Sequence, residues 1–204
     1  MKHKLQPYIG DNFHIHKILL IGESHYISDY VNPQLFQTWY EEEVTLPSHI
    51  RKQFDTRYII NDFLSNEHSK CYAIYRFPAQ VLGDVLHMPY KQAFTYAAFC
   101  NYFQRPQLSK GSFQSIYDDN RDYDYAFQSF VLLYEKLQPQ ITFFLSKKAF
   151  LCFNEQQNNE QQSNYKNIYG LVHPSSAWWY KDEGKYGCTK MKQYLLSFLR
   201  KESP

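Results

Sequence analysis

Three polar clusters in the sequence each follow directly on a short apolar run. They are Gly22-Glu23-Ser24-His25-Tyr26 after Ile18–Ile21, Asn101-Tyr102-Phe103-Gln104-Arg105-Pro106 after Phe94–Cys100, and His173-Pro174-Ser175-Ser176-Ala177-Trp178-Trp179 after Ile168–Val172. Together they supply a carboxylate, an amide, imidazoles, hydroxyls and aromatic faces. A carboxylate supports a developing positive charge or orients a water, an imidazole donates to a developing anion, and an amide offers a donor and an acceptor at once. That is equipment for splitting a bond whose two halves separate with opposite charge. Each residue alone also has an ordinary structural use. Glu23 fits a helix N-terminus, Asn101 a turn, His173 a structural hydrogen bond, and Trp178 and Trp179 the core. The combination, at the exits of successive apolar runs, is what points to a site.

The elements that must position these residues are legible from periodicity. Lys17–Gly22, Phe94–Cys100, Ile141–Leu145 and Ile168–Val172 are short continuous apolar runs, the pattern of strands buried on both faces. The segments between them are long enough for helices, so repeated strand–helix units and a parallel sheet follow. In such a sheet ligands bind outside the carboxyl ends of the strands, where the polar clusters fall. From Asp122 to Leu137 apolar residues recur at three-and-four spacing, with acids in the first turn and Pro139 beyond the end, which predicts a helix. Thr189 is predicted to cap a final helix with Met191, Tyr194, Leu195, Phe198 and Leu199 inward and Lys190, Lys192, Arg200 and Lys201 outward. Residues 30–64, with Trp39, the Glu41–Glu43 run and Pro47, read as helical pieces with a break. The polar stretch Asn154–Asn167 reads as a solvated loop or frayed helix end. No internal repeat or linker divides the chain, and residues 1–204 are expected to form one domain.

Composition narrows the function classes. Aromatic residues are 19% of the 204, with 19 Tyr and 16 Phe, which excludes a disordered or fibrous chain. A net charge of +2 neither announces nor excludes a nucleic-acid partner. Cys71, Cys100, Cys152 and Cys188 form no C-x-x-C pair, so reduced thiols are expected and no metal or iron–sulfur centre. The longest apolar run, Ile18–Ile21, is far too short to span a membrane, and the N-terminal residues lack the apolar region of a secretory signal. A cytoplasmic monomer without membrane contact is the expectation. Neither Ser24 nor Ser175 lies in a G-x-S-x-G setting, and Leu108–Ser112 has its glycine, lysine and hydroxyl in the wrong order for a phosphate loop.

With GESHY after the first strand, FCN followed by RP after a middle strand, FFLSKKAF at Phe143–Phe150 and HPS after a late strand, the chain resembles the uracil-DNA glycosylase superfamily over roughly residues 15–200. The resemblance implies a three-layer α/β/α sandwich around a central four-stranded parallel sheet. It implies hydrolysis of the N-glycosidic bond of uracil or another deaminated base in single- or double-stranded DNA, without cofactor or metal. Gly22 and Glu23 fall where the family begins its first motif and positions the attacking water. Asn101 falls where an amide reads the base, His173 where a histidine stabilises the departing anion, and Tyr26 where one branch excludes the methyl of thymine. Ser24, His25 and Ser175 join them as substrate contacts. The target base must leave the duplex. Ala177, Trp178 and Trp179 lie where the family's wedge loop follows the histidine, with Lys181, Lys185, Lys190 and Lys192 available to phosphates.

The chain also departs from the family. Ser24 and His25 replace an Asp–Pro pair of one branch, so only Glu23 supplies a carboxylate, and Phe36 is the candidate base-stacking ring. The paired cysteines of the iron–sulfur branch are missing. The altered first motif supports a second expectation, a divergent or catalytically inactive nucleotide- or nucleic-acid-binding member of the same fold.

Overall fold

In the computed structural model, residues 5–26, 36–41, 50, 52–66, 72–107, 112–159, 165–181 and 186–202 are described. The four apolar runs form the parallel strands β2 (Ile18–Gly22), β3 (Ala97–Asn101), β4 (Ile141–Phe144) and β5 (Ile168–Gly170). The sheet order is β1-β3-β2-β4-β5, where β1 (Tyr8–Ile9) pairs antiparallel with β3. The sheet therefore has five strands and is not the purely parallel four-stranded one expected. A two-residue edge strand is too short to leave a periodic trace in sequence. The predicted second strand also begins later, because Phe94 closes a short helix, α4 (Tyr90–Phe94).

Helices cover both faces. α2 (Thr56–Ser65), α3 (Ala73–Leu86), α4 and α7 (Gly187–Glu202) send Ile60, Leu82, Phe94 and Met191 against Ile18, Leu20, Phe99 and Phe143. α1 (Phe13–His16), α5 (Arg121–Leu137) and α6 (Lys147–Asn159) send Phe13, Phe130 and Phe153 against Leu19, Ile21, Ala98 and Phe144 on the opposite face. Both faces of β2 are thus desolvated, which is why its sequence reads as a continuous apolar run. The three-layer α/β/α arrangement follows from these two cores. A third cluster of Leu5, Phe36, Trp39 and Phe54 packs beside them.

The predicted helix from Asp122 is α5. The final helix starts at Gly187, two residues ahead of the predicted Thr189 cap. A Cβ at Gly187 would lie 2.5 Å from the Trp179 carbonyl oxygen, so close packing on Trp179 and not capping chemistry sets this start. α6 continues through Asn159 into the tract predicted as a solvated loop or frayed helix end, and residues 160–164 lie outside the described residues. In the 30–64 region, Asp55 caps α2 by accepting from the Arg57 and Tyr58 amides. Glu42, Glu43, Pro47 and Cys71 lie outside the described residues. Cys100, Cys152 and Cys188 are free thiols. No helix among the described residues is long and apolar enough to cross a membrane.

The connections place β3 on one side of β2 and β4 on the other. The winding therefore reverses at β2, and the crevice outside the carboxyl ends of β2 and β4 is where sheets of this kind take ligands.

Candidate functional site

The ladder between β2 and β3 continues past both strands. Gly22 lies opposite Asn101, and its carbonyl accepts from the Tyr102 amide at 3.0 Å. The Glu23 carbonyl accepts from Phe103 at 2.9 Å, the His25 carbonyl from Gln107 at 2.7 Å, and Tyr26 bridges Gln107. Residues 23–26 therefore run beside 102–107 beyond the regular ladder, with the two-residue step from 23 to 25 set against the four-residue step from 103 to 107. Glu23 reaches Ser146 at the start of α6, while His25 turns to the α2 side.

A Cβ at residue 22 would come within 2.3 Å of Asn101 Oδ1, so glycine is what lets the amide lie across the strand end. Asn101 is 6% exposed, and its side chain makes no hydrogen bond within the described residues. Its backbone carbonyl is held by Gln104 Nε2 at 2.9 Å. The Ser24 hydroxyl is also buried and without a partner, on a residue 8% exposed. Leaving a buried polar group unpaired costs about 1–3 kcal/mol, a loss that a fold tolerates where the group is kept for a ligand.

Glu23 is the opposite case. Its Oε1 accepts from the Phe113 amide at 2.5 Å and its Oε2 from the Ser146 hydroxyl. The Ser146 oxygen in turn accepts the Ala149 amide at 3.2 Å and so caps α6. A carboxylate at the exit of β2 is thereby tied to the helix that follows β4, across the crevice where the winding reverses. Ser146 stands at the end of its own apolar run, in FFLSKKAF, and this fourth exit was readable as a site position.

His173 follows β5. Its Nδ1 accepts from the Ser175 amide at 3.2 Å and pairs with the Ser175 hydroxyl at 2.7 Å. An acceptor Nδ1 leaves the proton of the neutral ring on Nε2. Burial holds the His173 pKa below its usual 6.5, with the Glu23 charge acting the other way. The ring is neutral at pH 7 and lies within the electrostatic reach of Glu23. The acid, the amide and the imidazole thus occupy one end of the sheet.

The remaining predicted contacts divide. Tyr26 is 46% exposed, and burial of its ring raises its pKa, with Glu23 contributing in the same direction. His25 turns toward α2, where its Nε2 pairs with Thr56 Oγ1 at 3.0 Å and its ring meets Phe54 edge-on. Desolvation pushes His25 down to about 4, so it is a neutral packing residue behind the site. Ser175 is exposed beside His173.

Two expectations need correction. Trp179 is fully buried in the main core and is not at the surface to meet DNA, because it fills the space between β5 and α7. Phe36 is likewise fully buried, between Trp39 and Phe54, and offers no open face for a base. Trp178 is open, with Lys181 Nζ 3.8 Å from its ring centroid. Lys192 pairs with Asp84, Lys190 lies over Tyr194, and Lys185 falls outside the described residues.

The sequence reading missed the anchor behind Asn101. Arg105 and Asp122 are both fully buried and joined at 3.0 Å and 2.9 Å, and Asp122 also accepts from Tyr40 at 2.7 Å and Ser115 at 2.8 Å. Nothing in the separation of 105 from 122 signals this pair. Among the described residues no three His, Cys, Asp or Glu side chains gather as metal ligands.

Compared with known protein families and with curated proteins, the chain matches no family model and no curated relative.

Proposed function

We propose that this protein is a DNA glycosylase of the uracil-DNA glycosylase type, hydrolysing the N-glycosidic bond of uracil or another deaminated base. In this reading the strands β3-β2-β4-β5 are the family's four-stranded sheet, with β1 added at its edge. The observation that carries it is the Asn101 amide, laid across Gly22 with no side-chain hydrogen bond among the described residues, at the same sheet end as His173. An amide in that state recognises a ligand that presents a donor and an acceptor side by side, as a nucleobase edge does.

The chemistry follows from the charges. Breaking the bond leaves negative charge on the base and positive charge on the sugar. The neutral His173 ring, with its proton on Nε2, donates to the departing anion. Glu23, with both oxygens fixed by Ser146 and Phe113, supplies a negative charge that needs no reorganisation as the sugar becomes cationic. Trp178 and Lys181 form the outer surface that meets the flanking DNA.

The test is incubation with single- and double-stranded oligonucleotides carrying one uracil, followed by alkaline cleavage of abasic sites. Wild-type protein is expected to release uracil, and His173→Ala to slow release by about 100- to 1000-fold, as for removal of a donor to a developing anion. No release by wild-type protein overturns the reading. One observation favours a second one: each Glu23 oxygen is already tied to the fold, by Phe113 and Ser146, which suits a member of the fold that uses this carboxylate to hold its shape and binds a base without cleaving it. That protein would bind the uracil oligonucleotide intact, and Asn101→Ala would abolish the binding.

A further inference from the structure

We infer that the turn following His173 and the first turns of α3 together form a face on which the flanking bases of a single DNA strand stack. The inference rests on the glycosylase reading above for the choice of DNA and for the place of this face beside the site, and it concerns bases that are not cleaved. The segment 177–181 sends Trp179 into the core and leaves its two neighbours outside, with Trp178 47% and Tyr180 56% exposed. Tyr180 is the most open of the large hydrophobic side chains among the described residues. Each of these rings has a cation close by. Lys181 Nζ lies 3.8 Å from the Trp178 ring centroid. Past Trp179, the Tyr180 ring meets Phe77 of α3 edge-on at 5.1 Å, and the Arg76 guanidinium lies 5.0 Å from the Phe77 ring. The Arg76 charge is felt at the Tyr180 hydroxyl, whose pKa is raised by burial and by Cys188 and lowered by Arg76. Among the described residues neither Lys181 nor Arg76 forms an ion pair. The one acid of α3, Asp84, is paired with Lys192 at 3.4 Å.

Aromatic faces interleaved with cations suit one class of partner. Bases stack on aromatic side chains whatever their sequence, because every base has a π-face, and a lysine or arginine beside the ring meets the phosphates between those bases. In a duplex the base faces are already stacked on one another, so only a single strand presents them. Two cations with no acid paired to them favour a polyanion over an apolar protein segment. The loop that carries His173 runs directly into Trp178, so a strand whose target base lies at the site carries its neighbouring bases over Trp178 and Tyr180.

Of the three tryptophans, Trp39 and Trp179 are buried, so a base stacked on Trp178 is read as quenching of the one exposed indole. The probes are a thymine-only DNA strand without uracil, the same strand annealed to its complement, and inorganic polyphosphate as a polyanion without bases. The single strand is expected to quench the fluorescence and to bind about tenfold more tightly than the duplex, with no quenching by polyphosphate. Trp178→Ala and Tyr180→Ala should each weaken binding of the strand about tenfold at an unchanged unfolding temperature. Tyr180→Phe, which keeps the ring and loses the hydroxyl contact to Gln80, should bind as wild type does. Arg76→Gln and Lys181→Gln should each reduce the slope of log affinity against log salt by about 0.7. Equal affinity for strand and duplex, or binding of the strand without quenching, overturns the stacking face. If wild type releases uracil but both alanine variants bind the thymine strand as tightly as wild type, the stacking face is overturned and the glycosylase reading stands. If wild type binds the thymine strand as described and releases no uracil, the glycosylase reading falls and the stacking face stands.

Discussion

The segment leaving β3, Asn101–Gln107, and the segment leaving β5, Leu171–Lys181, both carry proposed site residues, and they are built in opposite ways. In the first, polar side chains are buried and bonded to distant parts of the chain. Gln104 Oε1 accepts from the Leu5 amide at 3.2 Å, the Trp39 indole donates to the Gln104 carbonyl at 2.8 Å, and Gln107 accepts from the Gln114 amide at 3.0 Å. Arg105 reaches Asp122 and lies over the Phe113 ring. In the second, the side-chain hydrogen bonds around the histidine are local, from Ser175 to His173 and from Trp178 to Ser176, the long-range side-chain bond is that of the exposed Tyr180 hydroxyl to Gln80, and Ser175, Trp178 and Tyr180 are exposed. Leu171 and Trp179 anchor it in the core at its two ends. The amide that would select a base thus sits on a segment whose polar side chains are buried and bonded, whereas the histidine and the outer aromatics sit on a segment whose polar side chains are largely at the surface. Selectivity asks for the first and engagement of a long polymer for the second.

The contrast can be broken most forcefully at the buried ion pair. Arg105→Ala leaves the Asp122 carboxylate uncompensated in the interior and is expected to cost about 3–5 kcal/mol, read as a fall in the denaturant midpoint. A double replacement of Arg105 and Asp122 by apolar residues should recover much of that loss, since it strands no charge. On the other segment, the two tryptophans should separate. Trp179→Ala is expected to cost about 3–5 kcal/mol by leaving a cavity, and Trp178→Ala no more than about 0.5 kcal/mol while weakening oligonucleotide binding.

Acid should act on the inner framework before it acts on the outer loop's fold. The buried His25 titrates at about 4 against 6.5 when unfolded, so its neutral form stabilises the folded state fully above pH 6.5. That contribution, about 3 kcal/mol, is lost as the pH falls from 6.5 toward 4. Stability measured across this interval should decline in wild type and flatten in His25→Phe. The smallest effect is expected at Ser175→Ala, where the Ser175 amide still bonds His173 Nδ1. Losing the hydroxyl should cost about 1 kcal/mol and leave the imidazole tautomer, read by nitrogen chemical shifts, unchanged.

Much of this was legible in advance, and what was not has identifiable causes. The four parallel strands and the α5 helix were readable because burial on two faces or on one stripe writes a period into the residues themselves. The exits of β2, β3 and β5 followed from where apolar runs stop. The strand β1 was not readable, because two residues carry no period. The start of α7 was missed because it is set by contact with Trp179 and not by a cap.

The order of residue types along the chain fixed the class of fold and the places where polar groups leave the sheet, since both depend on local pattern and on water's rejection of apolar surface. Tertiary structure alone decided which of those groups remain free. Glu23 reads as the reactive group in sequence, yet Ser146 and Phe113 tie each of its oxygens to the fold, while the Ser24 hydroxyl beside it is buried without a partner and the Asn101 amide makes no side-chain hydrogen bond among the described residues. Whether a polar atom is spent or available depends on donors brought in from 90 and 123 residues away, and no local pattern records them.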